Sequence, residues 1–468
     1  MKRPSETENL FSALRQSAKP KPVGAIEKLI KDAPDRELCR INALAFAARH
    51  GLDEDDVIGA FLHGARLGLF DMSWNILCPA CGGILDSGAT LKTVRQGEYR
   101  CVLCARGREP TLDEMVEVTF TISPRVRRIA AHDPGTLSWM EYYRQIFWSS
   151  GVDLPDDETF AKWVQETTLD SRELSPGEKV VLSLQLPEGE VDMFDPVLHM
   201  SQHLEVKGEP ARKSQSLSFV MTRDHAPEES VQMRPGPLQL TLENRSKKRT
   251  LPGIWVVSDK IHDFINKRRP FLTAKRLLTN QTFRDIHRTD ALDVDQRLKI
   301  TSLTFLFTDL KGSTELYERV GDLAAYDLVR AHFRILNEIV AAESGAVVKT
   351  IGDAVMATFP TPDRAMAAAL KMREALKDLK DELLLKIGIH EGPCLAVSLN
   401  DRQDYFGRTV NIASRVQGLA TSRSIFATRR VVTDSEASKL LQSNGIALTP
   451  EKRSLRGIAK QVEIFEIP

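Results

Sequence analysis

Cysteine is scarce in this chain, with six among 468 residues. So few exclude a small secreted scaffold held together by disulfides. An excess of charge of one sign is also missing, because 64 basic and 64 acidic side chains cancel. The chain as a whole therefore has no general attraction to nucleic acid or to an anionic membrane. No apolar run reaches the length of a bilayer span, and the start, MKRPSETENLFSALRQ, lacks the apolar core of a signal peptide. These absences predict a cytoplasmic protein with no membrane partner. What remains is ordinary for a globular protein: 42% hydrophobic and 27% charged residues. The length predicts two to four domains.

Four of the cysteines are paired by spacing. CPACGG carries Cys78 and Cys81, and CVLC carries Cys101 and Cys104, about twenty residues further on. Two such knuckles fit a four-thiolate zinc site, each supplying two ligands from a tight turn that Gly82 and Gly83 suit. A closed thiolate shell leaves no open position for chemistry, so its expected role is structural. Cys39 and Cys394 stand alone and read as small buried side chains. His199 and His203 in HMSQH have metal-like spacing without nearby carboxylates in sequence, and are left unassigned.

The period of the apolar residues changes along the chain. From Ala25 to Phe70 it is helical, with Gly51 ending one helix and Asp53 capping the next. This segment has no dense Lys/Arg face with interleaved aromatics, which argues against nucleic acid as a partner. From about Glu117 to Asp259, EVTFTI, KVVLSLQL, SLSFVM, LQLTLEN and GIWVVS read as strands of a β-sandwich-like module, interrupted by a helix at WMEYYRQIFW. KRRPFLTAKRLLTNQTFRDIHRTD reads as a polar helical connector. The expectation is an α+β multidomain chain: a helical unit over 1–75, a zinc ribbon over 76–110, a mainly β domain over 111–265, a connector over 266–298 and a last domain over 299–468.

In that last domain, TSLTFLFTDLKGST is a β-branched and aromatic run that delivers Asp309 at its end, before a Gly-Ser-Thr turn. A helix follows, with Tyr326, Val329, Phe333, Leu336 and Val340 on one face. AVVKTIGDAVMATF forms two strands joined at Ile351-Gly352-Asp353, and Pro360 closes the second. Another helix leads to the strand LLLKIGIHEG, giving the βαββαβ order of a ferredoxin-like sheet. Asp309 and Asp353 can then face one point, as a hard oxygen site for Mg2+ or Mn2+ with nucleotide phosphates completing the shell. Either aspartate alone reads as a turn cap. DYFGRTVNIASRV carries Asp404, and places Asn411 and Arg415 one helical turn apart. An amide and a guanidinium on one face suit a developing phosphoryl charge, although such a pair alone is more often a solvated face.

Taken in order, FTDLKGST, VKTIGDAVMATF and DYFGRTVNIASR resemble the catalytic domain of class III nucleotidyl cyclases, over about the last third of the chain. The resemblance implies that Asp309 and Asp353 bind two Mg2+ or Mn2+ ions, with the Leu310 carbonyl as a further ligand. It implies that Lys349 and Asp404 read the base, and that Asn411 and Arg415 position ribose and triphosphate and stabilise the transition state. A lysine donor meets an adenine ring acceptor, and an aspartate accepts from the exocyclic amine; guanine reverses both edges, so ATP is the expected substrate. A homodimer is implied too, with Lys349 and Asp353 of one hairpin serving different active sites. Ser313 stands where many members carry an aromatic. The N-terminal part resembles an uncharacterised zinc-ribbon and β-domain region found ahead of bacterial cyclase domains, and is expected to regulate the enzyme through the connector in response to an unknown ligand or protein. The alternatives are a guanylate cyclase and a catalytically silent nucleotide-sensing dimer with a zinc-ribbon binding module.

Overall fold

Asn42 and Asp53 start helices for the same reason: a short acceptor side chain reaches the amides that a first turn leaves bare. Asn42 accepts from the amides of Leu44 at 3.0 Å and Ala45 at 3.2 Å, and Asp53 accepts from Asp56 at 3.0 Å. In the computed structural model they open the third and fourth of the N-terminal helices, α1 (Glu6–Ser17), α2 (Pro20–Asp32), α3 (Ala43–His50) and α4 (Glu54–Leu67). Gly51 closes α3 with a left-handed φ of 61°. The structure describes residues 6–104, 106–222, 230–257, 267–287, 292–293, 295–311, 318–376, 384–399, 402–420 and 424–468. Ser313 and the Gly-Ser-Thr turn lie outside these residues.

Strand β1 (Phe70–Leu77) continues directly from α4 and pairs on one side with β2 (Ile84–Gly88). A small hairpin of β3 (Tyr99–Cys101) and β4 (Arg106–Arg108) follows, and β5 (Val116–Ile122) then returns to the other side of β1. Phe70, Trp74 and Phe120 of this sheet join Phe61 of α4 in one core, with the Phe61 and Phe120 rings stacked 5.0 Å apart. The boundaries expected at 75/76 and 110/111 therefore run through a single sheet. Strand pairing across forty residues leaves no mark in the local pattern on which those boundaries rested.

The helix expected at WMEYYRQIFW is α5 (Trp139–Tyr142), continued by a π-helical turn over Tyr143–Phe147. Next come α6 (Asp157–Thr167), β6 (Thr168–Ser171), β7 (Lys179–Leu186), β8 (Gly189–Asp195), β9 (Met200–Val206), β10 (Gln215–Met221), β11 (Val231–Met233), β12 (Gly236–Asn244) and β13 (Gly253–Val256). They form two sheets, β10-β12-β7 and β11-β9-β8-β13-β6. Alternate residues such as Leu182, Leu184, Leu240 and Leu242 from one sheet meet Val191, Met193 and Leu204 from the other.

The expected connector is not a free linker. Its two short helices, α7 (Ala274–Leu278) and α8 (Gln281–Ile286), bury Leu277, Leu278 and Phe283 in the core of the N-terminal helices. The C-terminal part then runs β14 (Arg297–Lys311), α9 (Asp322–Ala342), β15 (Ala346–Ile351), β16 (Ala354–Phe359), α10 (Pro362–Ala375), β17 (Leu384–Leu399), β18 (Arg402–Phe406), α11 (Arg408–Gln417), β19 (Ile425–Thr428), α12 (Arg429–Val432), α13 (Ser435–Ser443), β20 (Thr449–Arg453) and β21 (Val462–Ile467). The sheet order is β15-β16-β14-β17-β19-β21-β20, with β18 on the far end of β17. Its first four strands have the ferredoxin-like arrangement, and β18 to β21 extend it.

Central strand β14 is apolar on both faces because both are covered. Leu306 and Leu310 face α9 and α10, whereas Leu303, Phe305 and Phe307 join the core of the N-terminal helices. The two halves of the chain thus share a core through this strand. In α9 the buried stripe is Ala325, Val329, His332, Leu336 and Val340. Tyr326, expected on that stripe, is 58% exposed. It lies one residue beyond Ala325, which takes the inward place at the helical repeat. Among the described residues no helix is long and apolar enough to cross a membrane.

Candidate active site and cysteine cluster

Asp309 is carried near the end of β14, and the last β14–β16 pair is Thr308 with Val355. That register sets the turn residue Asp353 beside the Asp309–Leu310 end of the neighbouring strand. The turn is tight because Gly352 adopts a φ of 63°. One carboxylate oxygen of Asp353, Oδ2, is buried with no hydrogen-bond partner. Asp309 faces Lys386 of β17, whose Nζ lies 3.9 Å from its Oδ2. Burial pushes the nearby His332 imidazole down to about 4, opposed by the charge of Asp353. Two carboxylates, one holding an unused oxygen, are a donor set that fits a hard divalent cation.

Lys349 of β15 and Asp404 of β18 form an ion pair, with the lysine side chain 43% exposed and the aspartate 9%. The backbone around each is held from outside the domain. Arg284 of α8 donates through Nη2 to the carbonyls of Gln403, at 2.9 Å, and Val348, at 3.4 Å. Gln281 of the same helix accepts from the Val347 amide at 2.8 Å. One short helix thus grips the residue before Lys349 and the residue before Asp404. Asn411, exposed, and Arg415, half-buried, lie one turn apart on α11. The Nη1 of Arg415 is buried without a hydrogen-bond partner, close beside Gly457, where a Cβ would sit 3.1 Å from that nitrogen.

The four spaced cysteines converge. Their Sγ atoms all lie within 4.8 Å of one another, and Cys81 and Cys101 are 3.7 Å apart. A disulfide needs about 2 Å. A tetrahedron of thiolates about 2.3 Å from a central zinc has edges near 3.8 Å. The first knuckle is built for this: Gly82 turns at φ 74°, and the Gly83 amide donates to Cys81 Sγ at 3.5 Å. Hydrogen bonds within the cluster push the Cys78 thiol below its usual range and the Cys81 and Cys104 thiols above it. Cys394 is buried, whereas Cys39 is only partly so. His203 has a carboxylate partner that its sequence neighbourhood concealed, Asp192 at 2.6 Å across the β8–β9 pair. Among the described residues the four cysteines are the one group of three or more side chains arranged to hold a metal, so His199 and His203 do not join such a group.

Residues 4–285 match a family model described as a family of unknown function (DUF5939), which is more than half of the chain. The chain belongs to this family. Residues 296–465 match the adenylate and guanylate cyclase catalytic domain. This second part is a class III cyclase domain. It is 29% identical over 180 residues to an adenylate cyclase of Anabaena cylindrica, a match covering 35% of this chain and 34% of that protein. It is 33% identical over 132 residues to adenylate cyclase 2 of Rhizobium meliloti, covering 25% and 36%. The chain therefore spans about a third of the length of these relatives. Among solved structures, the adenylyl cyclase CyaB from P. aeruginosa superposes with a TM-score of 0.33 and 22% identity, over 37% of this chain and 96% of that one.

Within the cyclase domain the structure brings Asp353 beside Asp309 and joins Lys349 to Asp404. Three neighbours escaped sequence reasoning: Lys386, His332 and Arg284. Lys386 faces Asp309 only through the pairing of β14 with β17. Arg284 lies 64 residues from Val348 and 119 from Gln403, so no local pattern announces it.

Proposed function

We propose that the chain is an adenylate cyclase that converts ATP to 3′,5′-cyclic AMP and pyrophosphate in a homodimer, under control of its N-terminal region. The observation that carries this reading is the Lys349–Asp404 pair, a donor and an acceptor side by side on strands of a cyclase domain. Lys349 donates to a ring nitrogen of adenine while Asp404 accepts from its exocyclic amine. Guanine would leave both groups facing their own kind.

Asp309, Asp353 and the Leu310 carbonyl would hold two Mg2+ or Mn2+ ions. When bound, these supply Lewis-acid polarisation of the α-phosphate and a lower pKa for the ribose 3′-hydroxyl. Asn411 orients the ribose. Arg415 holds the charge that grows on the transferring phosphoryl group, and its unpartnered Nη1 is available for that contact. A bond forms between the 3′-oxygen and the α-phosphorus, and the bond to the β-phosphate breaks. Pyrophosphate leaves, and the hydroxyl proton passes to solvent.

The cysteine cluster would bind one structural Zn2+, a reading supported by the 3.7 Å separation of Cys81 and Cys101. Regulation is supported by the contact of α8 with both strands that carry the base-reading pair. The cytoplasm is the compartment in which ATP and reduced thiols are both supplied.

The test is product formation by the purified chain given ATP or GTP with Mg2+ or Mn2+. Cyclic AMP that disappears in Asp353→Ala supports the reading; cyclic GMP as the main product, or no product from the full chain or its cyclase domain, refutes it. The shared site has its own test. Mixing inactive Asp309→Ala and Asn411→Ala chains is expected to restore about one working site per heterodimer, and no recovery counts against a site built from two chains.

A further inference from the structure

Four of the five tryptophans gather at one place, far in sequence from the cyclase domain. Trp139, Trp148, Trp163 and Trp255 share a cluster with Tyr143, Phe147, Phe160 and Phe194. The cluster lies between the cysteine knuckles and the five-stranded sheet of the sandwich. Its rings do not close on one another completely: they leave a cavity of about 110 Å3 between Cys81 and Cys104 on one side and Phe194 and Trp255 on the other.

Protein interiors are packed closely, and voids larger than a water molecule are few. An apolar void does not recruit water, because water there finds too few hydrogen-bond partners; one of roughly 150 Å3 takes benzene. At about 110 Å3 this cavity is smaller than that, so it admits at most a single ring. Its walls offer aromatic faces and edges, the surfaces with which another ring packs in offset or edge-on contact.

The polar groups on the wall narrow the chemistry further. The hydroxyl of Thr167 is committed to the Trp163 carbonyl at 2.9 Å. Asp192 also lines the cavity, and its Oδ1 is taken by His203 at 2.6 Å. Its second oxygen remains as an acceptor at the edge of an otherwise apolar space. Tyr143, likewise on the wall, has a buried hydroxyl with no hydrogen-bond partner.

We propose that this cavity is a binding site for a small single-ring aromatic molecule bearing one N–H or O–H donor, its ring among Phe147, Phe194 and Trp255 and its donor on Asp192. This site is independent of the cyclase reading. Because it is formed jointly by the cysteine knuckles and the sandwich, its occupancy would tie those two parts together.

Phenol and benzene are the probes, titrated into the full-length protein by calorimetry, with thermal unfolding alongside. Phenol is expected to bind saturably, about one per chain, and to raise the unfolding midpoint. Val257→Phe, at the cavity wall, is expected to weaken phenol at least ten-fold by filling the space. Asp192→Asn keeps the shape and removes the charged acceptor; it is expected to weaken phenol by about ten-fold and leave benzene unchanged. Absence of saturable binding by either probe overturns the proposal. Phenol binding that survives Val257→Phe places the molecule elsewhere and overturns it equally. Equal losses of phenol and benzene in Asp192→Asn would refute the assigned donor contact. If Val257→Phe fails to fold, stabilisation of the unaltered chain by phenol, and the need for about ten-fold more phenol to reach the same shift in folded Asp192→Asn, decide the matter.

Discussion

Arg284→Ala removes the guanidinium that joins the N-terminal region to the strands carrying Lys349 and Asp404. The side chain donates at 2.9 Å to the Gln403 carbonyl, a full hydrogen bond, and at 3.4 Å to that of Val348, a weak one. A hydrogen bond to a charged group contributes about 1.5–3 kcal/mol, so the loss is close to 2 kcal/mol. Gln403 and Val348 directly precede Asp404 and Lys349. The freed strands would no longer hold donor and acceptor in register before the base arrives, and that ordering would have to come from binding. A 2 kcal/mol cost appears as roughly a thirty-fold rise in the KM for ATP, with a smaller change in kcat and a lower preference for ATP over GTP. Initial rates of cyclic nucleotide formation by the full-length chain measure all three quantities. Arg284→Lys keeps the charge but not the forked donors, and is expected to fall between. If Arg284→Ala unfolds at the same temperature and keeps KM and base preference unchanged, the contact is packing only and the regulatory reading through α8 is wrong.

The remaining predictions concern the cysteines and the response to pH. The purified chain is expected to carry about one zinc, measured by mass spectrometry of the metal, and Cys81→Ser to lose it with a fall of roughly 5–10 °C in the unfolding midpoint. An unchanged midpoint would remove the structural role. Burial pushes His199, His332 and His390 each down to about 4 from 6.5. Between those values the unfolded chain takes up protons that the folded chain refuses, so stability falls as pH drops, by up to about 1.4 kcal/mol per pH unit for each histidine. Asp195, which burial pushes up to about 6, opposes them with one proton over part of the range. Denaturant midpoints at pH 7.5 and 5 are expected to show the loss, and His390→Gln to flatten part of it; equal midpoints would refute the assignment.

Much of the candidate site was legible because its parts are local. The β-branched run ending at Asp309, the glycine at the 351–353 turn and the helix carrying Asn411 and Arg415 are each written in adjacent residues. The cysteine knuckles were legible for the same reason, since each pair of ligands comes from a single turn. Less accessible was the face of α9, where the apolar pattern admits both Ala325 and Tyr326 and only the packing against β14 selects Ala325. The carboxylate partner of His203 was equally hidden, because it comes from the opposite strand.

By itself the sequence determined the order of elements in the cyclase domain, the residues that belong to its motifs and the close spacing of four thiols. These follow from backbone propensities and from periodicities of two and 3.6 residues, which act between neighbours. Only the tertiary structure decided that β1 and β5 share a sheet, that β14 is buried on both faces and that Arg284 reaches the strands of Lys349 and Asp404. It also decided that four tryptophans gather in one cluster, three of them lining a cavity. Those contacts join residues tens to hundreds of positions apart, and they are chosen by which apolar faces can cover one another in three dimensions, a choice the order of residues along the chain does not display.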